Sequence, residues 1–410
     1  MSNKGSMSKA HNFSRRAWMC ALSTLLLNGS MGSLYAWSVF VSPLERELMV
    51  GRTGISFVFS VAVVAFTGGV AVAPYFYRLM RGSLLLMAFS LCSVTVLFLA
   101  SFISPFNPSS WWFLVVGYGA LFGFGAGGTY SVSLQLINIA LEKKKGLANG
   151  LGIGSFAAGS VIFSIVFSWA LTYINVQDIF LIFGFVLLGV GITVGSLVRV
   201  SGFELPKDAV DRKSMAQGAP TIFPLLWLGF CCGAFAGLMA IGHAANFIEL
   251  YGGTTLMITL GVISVSIGNA IGRLTAGILS DVWSPAYVAV LAHVISLSGF
   301  ILLLIVSSPW TAVISLGMQG LAYGFIAGAY PSAIAIYIGV SSYGRYFGRL
   351  ILAWGIAGLT APWVTGWLYD NFDSYREALF AGTAFSSIGI LIAFKLFYSI
   401  RATTPKDPST

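Results

Sequence analysis

The sequence predicts an all-α membrane protein with twelve transmembrane helices in two six-helix halves. Of its 410 residues, 57% are hydrophobic and only 9% are charged, whereas about a quarter of the residues of a soluble domain are charged. The apolar residues are grouped in runs of the roughly 20 residues that a membrane-spanning helix needs. The 48 glycines are typical of the same class, because small residues let helices pack closely in lipid.

Twelve apolar runs divide into two sets of six. The first set is 17–41, 54–77, 83–103, 110–139, 146–173 and 179–198, and the second is 221–248, 255–280, 285–307, 309–338, 350–369 and 377–399. The polar segment 199–220 between them is too short to fold alone, so we interpret it as a linker. The expected organisation is an N-terminal half, 1–198, with a tail at 1–16, then the linker, a C-terminal half, 221–399, and a tail at 400–410.

The positions of the basic residues predict the orientation. If both termini are cytoplasmic, 18 of the 22 lysines and arginines fall in cytoplasmic loops, tails and the linker, and only Arg46, Arg52 and Arg376 fall outside. This is the positive-inside pattern of multi-pass proteins. The pattern predicts a protein of the plasma or bacterial inner membrane and accounts for the net charge of +9 without a nucleic-acid partner. We further expect the protein to be surrounded by lipid and to function as a monomer.

A weak internal repeat supports the two halves. Gly117, Leu121, Gly128 and Tyr130 in the fourth run recur 200 positions later as Gly317, Leu321, Gly328 and Tyr330 in the tenth. In membrane proteins built from such repeats, corresponding residues of the two halves face a shared cavity. The tyrosine pair is therefore expected to face one cavity from the two halves.

One arginine, Arg273, lies inside an apolar run. A charge at the bilayer centre costs at least ~2.5 kcal/mol, and the eight residues to Asp281, which ends the run, correspond to ~12 Å of helix against a half-thickness of ~15 Å. None of the 13 acidic residues lies deep in a run, and Asn269, one turn earlier, is neutral. Because a guanidinium binds carboxylates in a two-pronged manner, Arg273 predicts an anion site; a structural ion pair is the alternative.

Other polar side chains in the runs have two interpretations each. Tyr35, Tyr130 and Tyr330 either complete the anion site or pack as buried aromatics, since a buried phenol needs a hydrogen-bond partner. His243 and His293 either carry a proton or are hydrogen-bonded core residues.

Two further charged residues lie near the predicted cytoplasmic ends of the runs. Arg349 either extends to the cytoplasm or belongs, with Asp281, to an inner gate. The sequence contains no nucleophile paired with a base and no metal-ligand cluster, so we expect no enzymatic activity, no metal and no cofactor.

Several motifs are recognisable as a set. They are Gly32-Ser-Leu-Tyr35-Ala-Trp37-Ser38, Lys144-Lys-Gly-Leu-Ala-Asn-Gly150, Gly272-Arg273 with Gly277-Ile-Leu-Ser-Asp281, Tyr330-Pro-Ser332 and Tyr346-Phe-Gly348. With these motifs the chain resembles, over nearly its whole length, the oxalate:formate antiporter and monocarboxylate transporter group of the major facilitator superfamily. The resemblance implies that superfamily's fold and alternating access for small carboxylates. It also implies that Arg273 is the substrate-binding arginine and that Tyr35 and Tyr130 line the site.

The sequence departs from this group at two places. Trp354 stands where the oxalate carriers have a second basic residue, and Val39 and Asn269 stand where animal monocarboxylate transporters have a lysine and an acid. A dianion held by Arg273 alone would leave one charge uncompensated, which is costly in a dry site. We therefore expect a small monocarboxylate such as lactate, pyruvate or formate, with Asn269 beside Arg273 and Trp354 narrowing the pocket.

The mode of coupling stays open at this stage. Uptake of the anion with a proton is favoured because the load is then neutral, and exchange of one anion for another is the alternative. An exchanger for oxalate and formate, or for other dicarboxylates, would need Arg349 to reach the pocket. A multidrug exporter would be expected to carry an intramembrane acid, and it is less favoured, as is a non-transporting membrane sensor.

Overall fold

The computed structural model describes residues 3–100, 102–104, 107–142, 145–205, 221–339 and 343–403, and the regular structure in them is entirely helical. Among these residues nine helices are long and apolar enough to cross a membrane, and Gly82–Val94 and Gly154–Ala170 are shorter apolar helices. The predicted all-α membrane class is confirmed.

The chain divides into two compact units. The first holds the described residues of 1–50 and 61–211, and the second holds those of 51–60 and 212–403. The helix Arg52–Phe76 therefore begins in the second unit and continues in the first. Residues 206–220 of the predicted linker and 404–410 of the predicted tail lie outside the described residues.

The other helices of the two units follow in chain order. In the first unit the α-helices are Asn3–Met31, Ser38–Leu48, Gly82–Ala100, Trp111–Leu114, Gly123–Ala140, Lys145–Ala170 and Val176–Ser201. In the second unit they are Phe223–Gly242, Ala244–Leu250, Thr255–Val282, Pro285–Ile305, Pro309–Ala333, Tyr343–Phe372 and Arg376–Thr403.

Several predicted spans are interrupted. The first, 17–41, changes from α-helix to a 3₁₀-helix over Gly32–Ala36, where a Cβ on Gly32 would lie within 3.0 Å of the Phe156 carbonyl. The fourth contains a π-helix at Val115–Phe122, and the tenth ends in another, Ile334–Ile338, just after Pro331. Proline removes a backbone donor, and such irregular turns often mark functional sites.

The seventh span breaks at His243. The helix Phe223–Gly242 ends there, and a short helix, Ala244–Leu250, follows. The backbone of His243 has φ −123° and ψ 16°, outside the α-helical region. Gly242 directly precedes the break, but the sequence has 48 glycines, so a glycine does not by itself show where the span ends.

Glycines set the separation of two helices of the second unit. Thr255–Val282 packs against Pro309–Ala333 through Gly268, Gly272, Gly320 and Gly324, each of which faces backbone atoms of the other helix closely enough that a Cβ would come within 3.0 Å of them. Small residues of this kind are the usual means of close packing in membranes. The contact brings the helix that carries Arg273 directly against the helix that carries Tyr323.

We expect Gly272→Ala to destabilise the protein by about 1–3 kcal/mol, the usual cost of overpacking. The added methyl would lie within 3.0 Å of Leu321 O and Gly324 Cα, and backbone cannot rotate away as a side chain can. Thermal unfolding of the purified protein measures the loss.

The matched control is Gly277→Ala on the same helix, where the new methyl meets no atom within 4 Å. Its unfolding temperature should stay at or slightly above the original, because alanine favours helix. Equal unfolding temperatures for the two variants would contradict the close-packing account.

Candidate functional site

Arg273 lies within the helix Thr255–Val282 and is half-buried. Its Nε donates a hydrogen bond of 2.9 Å to Oδ1 of Asn269, which is 2% exposed. The two side chains meet because residues four apart share one face of a helix. In this bond Asn269 holds the guanidinium at Nε, the nitrogen nearest the aliphatic part of the side chain.

An aromatic pair lies beside the guanidinium. The Cζ of Arg273 is 5.6 Å from the ring centroid of Tyr323, within the range of cation–π attraction. The Tyr323 hydroxyl accepts a hydrogen bond of 2.5 Å from Nε1 of Trp354, and both aromatic residues are buried. Asn269, Arg273, Tyr323 and Trp354 thus form one continuous set of contacts, called here the arginine cluster.

The sequence analysis missed Tyr323. It lies two helical turns before Tyr330 and therefore on a similar face of Pro309–Ala333, which is the signal that could have found it. Tyr330 occupies a different place: its hydroxyl is 3.1 Å from Nε2 of His293, and both side chains are buried. The expectation that Tyr330 contributes to an anion site stays a prediction, and in this structure its hydroxyl is engaged by His293.

His243 belongs to another group of the second unit. Its Nδ1 is 2.8 Å from the Tyr375 hydroxyl, and its Nε2 is 2.9 Å from the Pro362 carbonyl oxygen. Nη1 of Arg52 donates to the same Tyr375 oxygen at 3.1 Å. The sequence analysis treated Arg52 only as an outer charge, yet it is 8% exposed. The available signal was that it is one of few basic residues outside the positive-inside pattern.

In the first unit, Tyr35 and Tyr130 meet around one phenylalanine. The rings of Tyr35 and Tyr130 lie 5.3 and 5.7 Å from that of Phe156, both edge to face. Phe66 packs on Tyr130 and Phe156 at 5.6 and 5.7 Å. Tyr35 lies in the 3₁₀-helix Gly32–Ala36 and is buried, whereas Tyr130 is half-buried. The two predicted site tyrosines therefore share one aromatic cluster.

For the two residues predicted to form an inner gate, Arg349 and Asp281, the gate stays a prediction. Arg349 is half-buried, and its Cζ lies 5.6 Å from the ring centroid of Tyr346. Its backbone carbonyl accepts a hydrogen bond from Nε1 of Trp227 at 3.2 Å. Asp281 belongs to the helix Thr255–Val282, and its side chain lies outside the part of the chain that the structure describes.

The fold is that of the major facilitator superfamily. The chain matches the crystal structure of a bacterial homologue of the human lysosomal transporter Spinster with a TM-score of 0.73, over 96% of this chain and 99% of that one, at 16% identity. Residues 226–410 also match the family model described as Major Facilitator Superfamily. These matches confirm the predicted fold of a multi-pass membrane protein.

Among individual relatives, the chain is 24% identical to the uncharacterized MFS-type transporter YhjX of Escherichia coli (strain K12), over 85% of this chain and 87% of the relative. It is 24% identical to monocarboxylate transporter 13 of Bos taurus over 95% and 92%. It is 22% identical to the oxalate:formate antiporter of Oxalobacter formigenes over 65% and 63%. The predicted resemblance is found at the level of the superfamily, and the particular group within it stays a prediction.

Proposed function

We propose that the protein is a secondary active transporter that carries a small monocarboxylate across the membrane by alternating access. The observation that supports this proposal is the arginine cluster: one half-buried guanidinium within a membrane-spanning helix, oriented by the neutral Asn269 and flanked by Tyr323. A permanent cation at that depth is retained at a cost, and a carboxylate substrate would compensate it.

The charge of the cluster favours a monoanion. In the described part of the cluster the only formal charge is that of Arg273, and the indole donor of Trp354 is directed to Tyr323. One carboxylate neutralises one guanidinium, whereas oxalate would bring a second, uncompensated negative charge to the same cation. Lactate, pyruvate and formate fit this requirement. Two of the relatives are named as transporters of carboxylates, which agrees with the proposal.

Counterflow in proteoliposomes tests the proposal. Vesicles containing the purified protein would be loaded with unlabelled lactate, pyruvate, formate or oxalate and given the labelled compound outside. We expect accumulation of at least one monocarboxylate and little of oxalate, with protein-free vesicles as the control. An imposed inward proton gradient should drive net monocarboxylate uptake if a proton accompanies the anion, and should leave it unchanged in an obligatory anion exchanger.

Removing the residue that orients the guanidinium should weaken substrate binding. We expect Asn269→Ala to raise the KM for the transported monocarboxylate about 10-fold, because a hydrogen bond to a charged group contributes about 1.5 kcal/mol or more. The maximal rate should fall less than the affinity. Initial rates of uptake over a range of substrate concentrations give both quantities.

Thr275→Ala is the control on the same helix. Thr275 Oγ1 bonds only to carbonyls of its own helix, Ile271 O at 2.8 Å and Gly272 O at 3.3 Å, in the described residues. This variant should keep the original KM. A KM for Asn269→Ala that equals that of the control would show that Asn269 does not position Arg273 for binding.

A further inference from the structure

A chain of hydrogen bonds in the second unit connects Arg52 to His243. The Pro362 carbonyl can only accept, so Nε2 of His243, 2.9 Å away, must carry a proton. In the neutral imidazole Nδ1 is then an acceptor, and the Tyr375 hydroxyl, 2.8 Å away, donates to it. The Tyr375 oxygen in turn accepts from Nη1 of Arg52 at 3.1 Å. Geometry thus assigns both the tautomer and the direction of each bond.

The same contacts hold the start of the helix Arg52–Phe76. The guanidinium of Arg52 lies 3.9 Å from the ring centroid of Tyr369, and the Asp370 carboxylate accepts from the backbone N–H groups of Arg52 and Thr53 at 2.9 and 2.8 Å. The Thr53 hydroxyl also donates to Asp370. A carboxylate at a helix N-terminus satisfies donors that the helix itself leaves unpaired. Residues 52 and 53 are therefore held by the guanidinium and by the cap.

A second proton on His243 is incompatible with this arrangement. With both ring nitrogens protonated, Nδ1 becomes a donor, and the Tyr375 oxygen would have to accept from His243 and Arg52 together while its own proton loses its acceptor. Two cations would then share one phenol oxygen, at 2.8 and 3.1 Å. His243 and Tyr375 are both fully buried, so water is not at hand to screen the charges.

We infer that protonation of His243 and engagement of Arg52 exclude each other, so that proton uptake releases the start of the helix Arg52–Phe76. The role of this switch in transport rests on the proposed carrier function. The inference deepens that function by naming His243 as the residue that takes up the coupled proton and the start of the helix Arg52–Phe76 as the segment that responds. Release on protonation would link the proton to a change in the chain, as a coupled carrier requires.

Several ionisable groups lie on the elements that surround His243 and Arg52. Arg52 comes from the helix Arg52–Phe76, Tyr369 and Asp370 from Tyr343–Phe372, and Tyr375 from the turn before Arg376–Thr403. Their neighbours are as follows: Glu249 on the short helix after His243 is exposed, Arg376 is exposed with its Cζ 5.7 Å from the ring centroid of Phe380, and Glu377 is half-buried. His243 is the group in this set whose ordinary titration falls between pH 5 and 8.

Amide hydrogen exchange on the full-length protein in lipid nanodiscs tests the inference without any substrate. Exchange of residues 49–60 would be followed at pH 8 and pH 5.5 and corrected for the intrinsic pH dependence of exchange. An imidazole released to water titrates near pH 6.5. The equilibrium constant for opening of the segment should therefore be about 10-fold larger at pH 5.5 than at pH 8. We expect protection of this segment to fall by that factor in the original protein and to be independent of pH in His243→Gln.

His293→Gln is the matched control. It removes the other buried histidine, which bonds to Tyr330, and it should retain the pH response of residues 49–60. Unchanged protection between the two pH values in the original protein, or an equal fall in His243→Gln, would overturn the inference.

Histidine NMR supplies a second measurement if His243→Gln does not fold. The chain has three histidines, so ¹³C-histidine labelling of the original protein gives few signals to assign. A His243 signal that becomes cationic while residues 49–60 keep their protection would refute the coupling, because protonation and engagement of Arg52 would then occur together. Failure of either measurement leaves the carboxylate proposal standing, since neither contains a carboxylate substrate.

Discussion

Arg273→Ala is expected to lower uptake of the transported monocarboxylate at least about 100-fold at subsaturating concentration. Loss of one partner of a desolvated, hydrogen-bonded charge pair costs about 2–5 kcal/mol, and each 1.4 kcal/mol corresponds to a factor of about ten. The variant also removes the partner of Asn269 Oδ1. Counterflow of labelled substrate in proteoliposomes measures the effect.

Two further variants distinguish the contribution of the positive charge at position 273 from that of the guanidinium geometry. Arg273→Lys keeps the cation but loses the planar fork and the Nε donor to Asn269, so it should transport at an intermediate rate, since the two residues are not equivalent at two-pronged sites. Arg376→Ala removes an exposed arginine at the start of another helix of the same unit and should behave as the original. Full counterflow by Arg273→Ala would disprove the carboxylate site.

Trp354→Lys is expected to change which anion is carried. A lysine at this position would place a second cation beside Tyr323, whose hydroxyl now accepts from the Trp354 indole at 2.5 Å. At ~5 Å and an effective dielectric constant of ~20, a second charge contributes about 3 kcal/mol to a dianion. Uptake of oxalate relative to formate should therefore rise at least about 10-fold, as measured by competition in the same vesicles.

Trp354→Met is the control for this change. It removes the indole and introduces a flexible side chain about as long as that of lysine but without a charge. A gain of oxalate uptake in both variants would mean that space, not charge, limits the original pocket. No gain in a folded Trp354→Lys would contradict the argument that the number of cations sets the preference for one carboxylate.

Much of the fold and two residues of the site, Arg273 and Asn269, followed from local properties of the sequence. The length of an apolar run and its flanking charges are set by the bilayer and do not depend on which helices become neighbours. Arg273 was recognisable for the same reason, since a charge within such a run is conspicuous whatever surrounds it. Asn269 was placed beside it by helical periodicity alone, and the structure has them bonded at 2.9 Å.

The partners across helices were not recognisable in this way. Because Tyr323 and Tyr330 share a similar face of their helix, which of them lies beside Arg273 depends on how far the two packed helices are shifted along each other. Backbone contact at Gly272 and Gly324 sets that shift. The breaks at Gly32 and His243 likewise depend on what packs against them. Arg52 looked like an ordinary loop cation because its burial comes from Tyr369 and Tyr375, more than 300 positions away.

The sequence by itself therefore determined the class of protein, the apolar spans and the one arginine within them, because hydrophobic length and charge act residue by residue. Only the tertiary structure decided that Tyr323 lies beside Arg273 and accepts a hydrogen bond from Trp354, and that Arg52, Tyr375 and His243 form a single hydrogen-bonded chain. The physical reason is that a hydrogen bond requires its donor and acceptor within about 3 Å. Between helices, that distance is fixed by packing and not by position along the chain.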